Sequence, residues 1–285
     1  MSLVSHRSFD CPKLASEAVL NERVINQDWQ YSTVMHDDEL NLLKTKDKIG
    51  SPLDIIDPTV GKSTIPEPNS EQMLLLLAHP EASQRMLAAR AFCEVKESRA
   101  IPLLIELLND SCPLIRVSCA YALGRNHSQE SVEPLIELLE KDWNGYVRKG
   151  VVWALGNSGD RRAVPPLIQA LKTDISAVRL WAASGLAQVA ILTYEDIIAA
   201  IPTLIAGLRR DAMAAVRSNC AWTIGQLCRE LPSNVVYATA IDALIESFVE
   251  DEDLGVKEDA RSAILKVGDP RGLRTIEELE IEGLI

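Results

Sequence analysis

The stretch Ser131-Val-Glu-Pro-Leu-Ile-Glu-Leu-Leu-Glu-Lys-Asp142 decides the fold, because its order of apolar, proline and acidic positions recurs along the chain. The clearest other copies are residues 100–110 and 163–174, and fainter copies begin near residues 73, 201 and 244. Each copy precedes a basic residue and a second segment rich in small residues. A tandem repeat of this kind predicts pairs of helices that stack side by side.

The spacing of the basic residues sets the number of repeats. They stand 31, 32, 31, 38 and 40 residues apart, at Arg85, Arg116, Arg148, Arg179, Arg217 and Lys257. The two long intervals contain residues 191–200 and 229–239, and we expect these insertions to lengthen helices or loops. We therefore predict an all-α fold over residues 70–285: a right-handed α-solenoid of about six short HEAT-like helix pairs with a C-terminal capping helix.

Three features recur inside each repeat. Prolines occur near the predicted start of the first helix, at Pro102, Pro134, Pro165 and Pro202. Proline is tolerated there because the backbone N–H that it lacks would have no partner within the helix. An aspartate ends that helix, at Asp110, Asp142, Asp174, Asp211 and Asp251. We expect each basic side chain to bind the turn of its own or the adjacent repeat, which makes a structural ladder and not an active site. Small residues in the second helix predict a closely packed seam.

Residues 1–69 lack the repeat and form a predicted N-terminal extension. Residues 15–27 and 37–46 favour short helices. Residues 51–68 contain four prolines and no convincing periodicity, which is typical of a linker.

Composition and charge exclude several classes of function. The net charge of −12 argues against nucleic acid as a partner, because phosphate binding needs a basic stripe. The sequence has no apolar run long enough for a membrane span and no secretory signal pattern, so we expect a cytoplasmic protein.

The six cysteines include no Cys-x-x-Cys pair and no histidine at metal-ligand spacing. We expect them to pack as small apolar side chains, and we predict no metal site.

Aromatic residues are the candidate binding residues. Tyr121, Trp153 and Trp222 occupy one register of the second helices, which Ser184 interrupts, and Trp181 lies near the start of another second helix. Trp143 and Tyr146 lie in the turn before a second helix and are members of a possible rim. If they are exposed, these rings can anchor a partner helix or a planar ligand. The alternative is that they fill space between repeats.

One stretch of the sequence resembles a known family. Leu155-Gly-Asn-Ser-Gly-Asp-Arg-Arg-Ala-Val-Pro-Pro-Leu-Ile168 is similar to the HEAT-like repeat named after phycobilisome lyases, and Gly268-Asp-Pro-Arg271 matches its turn. The resemblance covers about residues 70–285. Members include E/F-type lyases, which attach or remove linear tetrapyrroles on phycobiliprotein cysteines, usually as heterodimers. Other members are non-enzymatic scaffolds. The resemblance supplies no catalytic residue that can be carried over to this chain.

Two functions therefore remain open. The first is a protein–protein interaction scaffold or assembly factor, which the resemblance links to phycobiliprotein or other tetrapyrrole-protein assembly. The second is a subunit of an E/F-type bilin lyase. We favour the first, a non-enzymatic role, because the sequence shows no catalytic constellation. We predict no cofactor, and a linear tetrapyrrole is the ligand that the resemblance implies. The expected partner is another protein: the resemblance implies a second HEAT-like chain or a phycobiliprotein.

Overall fold

The computed structural model describes residues 69–189 and 193–283, and within them it contains only helices and turns. The α-helices are α1 Ser70–Leu77, α2 Ala82–Ala91, α3 Ile101–Leu107, α4 Pro113–Arg125, α5 Val132–Lys141, α6 Gly145–Gly156, α7 Val164–Thr173, α8 Ser176–Gln188, α9 Tyr194–Arg210, α10 Ala214–Cys228, α11 Val235–Glu250, α12 Leu254–Val267 and α13 Pro270–Ile281. The short helices and the linker predicted for residues 1–68 lie outside the described residues, so that prediction and the boundary at residue 69 stay predictions.

The helices form six pairs, α1–α2 to α11–α12, and α13 follows alone. This confirms the predicted α-solenoid with a capping helix. The second helix of each pair packs on the second helices of its neighbours, from α2 through α12. The core lies between the two helices of each pair, where the same leucine of successive first helices is almost fully buried, as in Leu104, Leu135, Leu167 and Leu204. Each repeat thus completes the core of the next one.

Small residues set the distance between second helices. A Cβ atom added to Gly156 in α6 would lie 2.7 Å from the Cα of Gly185 in α8. One added to Gly225 in α10 would lie 2.7 Å from the Cβ of Ala263 in α12. The helices therefore approach almost to backbone contact at these points, as the predicted seam requires.

The two insertions lengthen first helices. Helix α9 has 17 residues and α11 has 16, whereas α5 and α7 have 10 each. A capping box starts α9, because Thr193 and Asp196 each bind the backbone N–H of the other. The predicted place of Pro202 near a helix start is wrong for this reason. The helix begins eight residues earlier, at Tyr194, and Pro202 lies inside it.

Candidate interaction surface

An arginine near the start of each second helix except the last reaches the aspartate that ends the next repeat's first helix. In the pair Arg148–Asp174, Nε lies 2.8 Å from Oδ2 and Nη2 lies 2.6 Å from Oδ1. Five such pairs occur in the described solenoid: Arg85–Asp110, Arg116–Asp142, Arg148–Asp174, Arg179–Asp211 and Arg217–Asp251. We call the edge of the stack that carries them the ladder edge.

Each ladder pair also fixes the turns on both sides. Arg148 donates a further hydrogen bond from Nη1 to the carbonyl oxygen of Asp142, 2.9 Å away in its own turn. Asp174 Oδ1 accepts from the backbone N–H of Ile175 at 2.7 Å. The guanidinium group thus joins its own turn to that of the adjacent repeat. The sequence left open whether the arginine binds its own turn or the adjacent one, and in the structure it binds both.

The Arg179–Asp211 pair shifts the pKa values of both of its members. The hydrogen bond to Asp211 raises the pKa of Arg179 above its ordinary value. Burial raises the pKa of Asp211, but hydrogen bonds from Arg179 and from the Met213 backbone outweigh it, so the pKa lies below its ordinary value. Both groups are therefore charged at neutral pH, and they hold each other in place. Such a pair is structural and not catalytic.

Different residues occupy the two ends of the ladder. His79 stands where later repeats have the aspartate, and its Nδ1 accepts from the backbone N–H of Glu81 at 3.1 Å. Lys257 stands where earlier repeats have the arginine, and its Nζ donates to the carbonyl oxygen of Val249 at 2.7 Å. Each end residue keeps the local turn contact, and the described residues give neither of them an ion pair with another repeat. The ladder therefore ends with these two repeats.

A second row of ion pairs lies at the turns between helix pairs. Arg162 binds Asp160 in its own turn and reaches Glu133 of the preceding repeat at 3.1 Å. Arg271 does the same with Asp269 and with Asp242, at 2.6 Å. Sequence reasoning missed this row. Its signal is a carboxylate 29 residues before the arginine of the Gly-Asp-x-Arg turn.

The candidate aromatic residues divide into a buried and an accessible group. Tyr121, Trp153 and Trp181 are buried, and the rings of the first two pack at a centroid distance of 5.4 Å. For these three the alternative interpretation, packing between repeats, describes the structure. Trp222 is only half-buried, and Tyr146 is 49% exposed. The predicted role in partner binding therefore stays a prediction for Trp222 and Tyr146.

A cation lies over the face of each of the two buried tryptophan rings. The Arg125 guanidinium lies 6.0 Å from the centre of the Trp153 ring, and Lys149 Nζ lies 5.8 Å from that of Trp181. Cations at this distance are attracted to the face of an indole ring. The two indole N–H groups are buried without a hydrogen-bond acceptor among the described residues. These rings therefore gain their stability from packing and from the neighbouring cations.

The described cysteines are mostly buried and all are free thiols. Cys93, Cys119, Cys220 and Cys228 are buried, as predicted, whereas Cys112 is half-buried. Burial raises the pKa of Cys93 and of Cys228 to about 12, so these thiols stay protonated. Over residues 69–189 and 193–283, no cluster of potential metal ligands forms. Cys11 lies outside the described residues.

Exposed apolar side chains line the ladder edge. They follow the ladder aspartates by one to four residues: Leu114, Trp143, Tyr146, Ile175, Met213 and Leu254. Trp143 is 79% exposed, Ile175 is 49% exposed and Met213 is 41% exposed. Ile175 lies against the adjacent turn, because a Cβ added to Gly145 would come within 2.5 Å of its Cδ1. We call these residues the edge row. Sequence reasoning noted only Trp143 and Tyr146 as members of a possible rim.

In the part of the chain that the structure describes, no helix has both the length and the apolar character that a bilayer crossing requires.

Comparisons with known proteins identify the repeat. Two family models match the chain: one described as HEAT repeats, over residues 70–149 and 132–199, and one described as HEAT repeat, over residues 200–231. No curated protein sequence matches.

Several solved structures are similar to the chain. An engineered protein of the Northeast Structural Genomics Consortium is 22% identical, with a TM-score of 0.53, and the match covers 70% of this chain and 98% of that one. Computationally designed armadillo repeat proteins for modular peptide recognition are 20% identical, with a TM-score of 0.52 over 70% and 99% of the two chains. The complex of CpcE and CpcF of phycocyanin lyase from Nostoc sp. PCC7120 is 24% identical, with a TM-score of 0.47 over 59% and 99%. The first two similarities show the repeat-solenoid fold, and the third carries no argument about function.

Proposed function

Because the chain belongs to the HEAT-repeat proteins over residues 70–231, we propose that it acts as a protein–protein interaction scaffold. Its edge row forms the surface offered to a partner. The HEAT and armadillo-like solenoid fold is typical of interaction scaffolds, because stacked repeats present long regular surfaces.

The edge row is the observation that carries this proposal. Its side chains project from the turns that the ladder pairs hold and from the first residues of the helices that follow, so the backbone that carries them is held in place before a partner arrives. A preorganised surface binds better because less conformational entropy is lost on association. Trp143 is the largest exposed anchor of the row. An aromatic anchor of this kind contributes about 2–4 kcal/mol to binding when it is central to an interface.

We further propose that the partner belongs to phycobiliprotein or other tetrapyrrole-protein assembly. This narrower assignment rests on the Gly-Asp-x-Arg turns of the repeat, at Asp160-Arg-Arg162 and Asp269-Pro-Arg271. No geometric observation favours the bilin-lyase alternative, because the described residues assemble no cluster of potential metal ligands and four of the five described thiols are buried.

One experiment tests both levels of the proposal. The purified full chain is mixed with an apo-phycobiliprotein subunit, with and without a linear tetrapyrrole, and the mixture is analysed by size-exclusion chromatography and absorbance. A complex without covalent adduct supports the assembly scaffold. A coloured adduct that survives denaturation would establish the lyase function and replace the proposal.

The matched variants Trp143→Ala and Trp181→Ala show whether the edge row makes the contact. Trp143→Ala should weaken the complex without changing thermal stability, whereas Trp181→Ala should lower stability. A complex that is insensitive to Trp143→Ala would remove the edge row from the proposal.

A further inference from the structure

A groove of about 420 Å³ opens on the ladder edge between the C-terminal ends of α7 and α9. Lys172 and Arg210 line it, one from the end of each helix. Thr203 and Gly207 of α9 and the ladder residue Arg179 line it as well. The groove therefore lies between two successive repeats, in the middle of the described solenoid.

The positive charge of this groove is not balanced. Its two carboxylates are engaged in the ladder, because Asp174 pairs with Arg148 and Asp211 pairs with Arg179. Lys172 and Arg210 are exposed, and the described residues provide neither of them with a carboxylate. Neighbouring cations differ in this respect, since Lys141 pairs with Glu137 and Arg209 pairs with Glu246. Two free cations in an otherwise acidic chain point to an acidic ligand.

Members of the edge row flank the groove. Ile175 directly follows the groove residue Asp174, and Met213 follows the groove residues Asp211 and Ala212. Both side chains are substantially exposed. The tip of Ile175 lies toward Gly145 of the preceding repeat, so a ligand that extends from the groove would meet Met213 beside the two cations. A nucleic acid fits this pattern poorly, because it needs a long basic stripe to neutralise successive phosphates.

We propose that this groove binds an acidic segment of a partner protein. Its carboxylates would pair with Lys172 and Arg210, and an apolar side chain of the segment would cover Met213. The inference rests on the proposed scaffold function and adds the chemistry of the partner.

The test uses the full chain and a random-peptide display library. We expect the enriched peptides to combine aspartate or glutamate with leucine, phenylalanine or tryptophan. An enriched peptide is then synthesised with a fluorescent label, and its affinity is measured by fluorescence anisotropy. The double variant Lys172→Glu/Arg210→Glu should weaken binding about tenfold or more, because both charge pairs become repulsive. Added NaCl should weaken binding to the native chain.

A matched double variant, Lys266→Glu/Arg274→Glu, makes the same change of net charge at two exposed residues outside the groove. It should keep nearly native affinity, and circular dichroism should show that both doubles melt like the native chain. The groove assignment is overturned if the enriched peptides are neutral or basic, or if both doubles weaken binding equally. It is also overturned if no peptide is enriched, or if a short single-stranded RNA displaces the peptide at equal concentration.

These outcomes separate the groove from the scaffold function. Peptides that bind the native chain and both double variants equally tightly would overturn the groove as the binding site. They would support a scaffold that uses another contact surface. A failure of complex formation in the chromatographic experiment, combined with tight acidic peptides in the groove, would instead overturn only the assigned partner.

Discussion

Arg116 and Asp142 join two successive repeats through two buried hydrogen bonds. Nε of Arg116 lies 2.7 Å from Oδ2 of Asp142, and Nη2 lies 3.0 Å from Oδ1. The Asp142 side chain is only 2% exposed. The same guanidinium donates from Nη1 to the carbonyl oxygen of Asp110 at 2.9 Å. One side chain thus connects the turn before α4 to the turn before α6, and it does so largely shielded from water.

Removing the carboxylate of this pair should destabilise the solenoid strongly. Asp142→Ala leaves Arg116 buried without its counter-ion, which typically costs about 3–5 kcal/mol. The control is Glu137→Ala, which breaks the exposed pair with Lys141 and should cost less than about 1 kcal/mol. Urea denaturation measures both free energies of unfolding. Equal losses in the two variants would show that the ladder is no more than a surface feature.

The ladder should also make stability depend on pH in acid. The folded pKa values of Asp211 and Asp251 lie below their ordinary value of 3.8, because hydrogen bonds from Arg179 and Arg217 outweigh the effect of burial. A lowered folded pKa contributes stability that is fully present above the unfolded pKa and is lost as pH falls through the folded pKa. The free energy of unfolding should therefore decrease below a pH of about 4.

The variant Asp211→Asn isolates this effect. It lacks one titrating carboxylate, so its free energy of unfolding should fall less steeply with pH in the acid range than that of the native chain. Denaturant titrations at a series of pH values give the two slopes. Parallel slopes would contradict the lowered pKa of Asp211.

The periodic part of this structure could be predicted from the sequence, because the same pair of helices with the same buried positions recurs in each repeat. The aspartate at the end of each first helix and the arginine that follows recur with the period, and the structure pairs them as Arg148 with Asp174 across adjacent repeats. Helix α9 departs from the prediction because a local cap, Thr193 with Asp196, starts it before the insertion ends. The burial of the aromatic rings depends on neighbours that the period does not fix.

Trp153 and Trp222 illustrate this limit. They occupy the same position of the repeat, five residues after the basic residue. A Cβ added to Gly124 would lie 2.4 Å from the Trp153 ring, so the ring fills the space that this glycine leaves. The residue that corresponds to Gly124 in the repeat before Trp222 is Ala187. The repeats that precede the two tryptophans thus differ by one methyl group at this position, and the repeat period alone does not show which of the two rings is buried.

Gly156 should be intolerant of a side chain. A Cβ at this position would lie 2.7 Å from the Cα of Gly185, and backbone cannot move aside as a flexible side chain can. Gly156→Ala should therefore cost about 1–3 kcal/mol through overpacking. Gly150, in the same helix, is the matched control, because a Cβ there meets its neighbours at an ordinary 3.5–3.6 Å.

Gly150→Ala should be neutral or should stabilise the helix by up to about 1 kcal/mol, because alanine is the better helix former. Thermal melting of the two variants compares them directly. If Gly156→Ala melts at the same temperature as Gly150→Ala, then α6 and α8 do not approach as closely as described.

Trp143 and Trp153, which lie in one turn and the helix that follows it, should respond differently to substitution. Trp143 is 79% exposed in the turn before α6, whereas Trp153 is 4% exposed within that helix. Trp153→Ala should cost about 3–5 kcal/mol of stability, because it empties a packed site between α4 and α6. Trp143→Ala should change the stability by less than about 0.5 kcal/mol.

Tryptophan fluorescence gives a second measurement on the same two variants. Loss of the solvated Trp143 should shift the mean emission to shorter wavelength, and loss of the buried Trp153 should shift it to longer wavelength. If both variants melt alike and shift emission in the same direction, the division of the aromatic residues into packed and accessible groups is wrong.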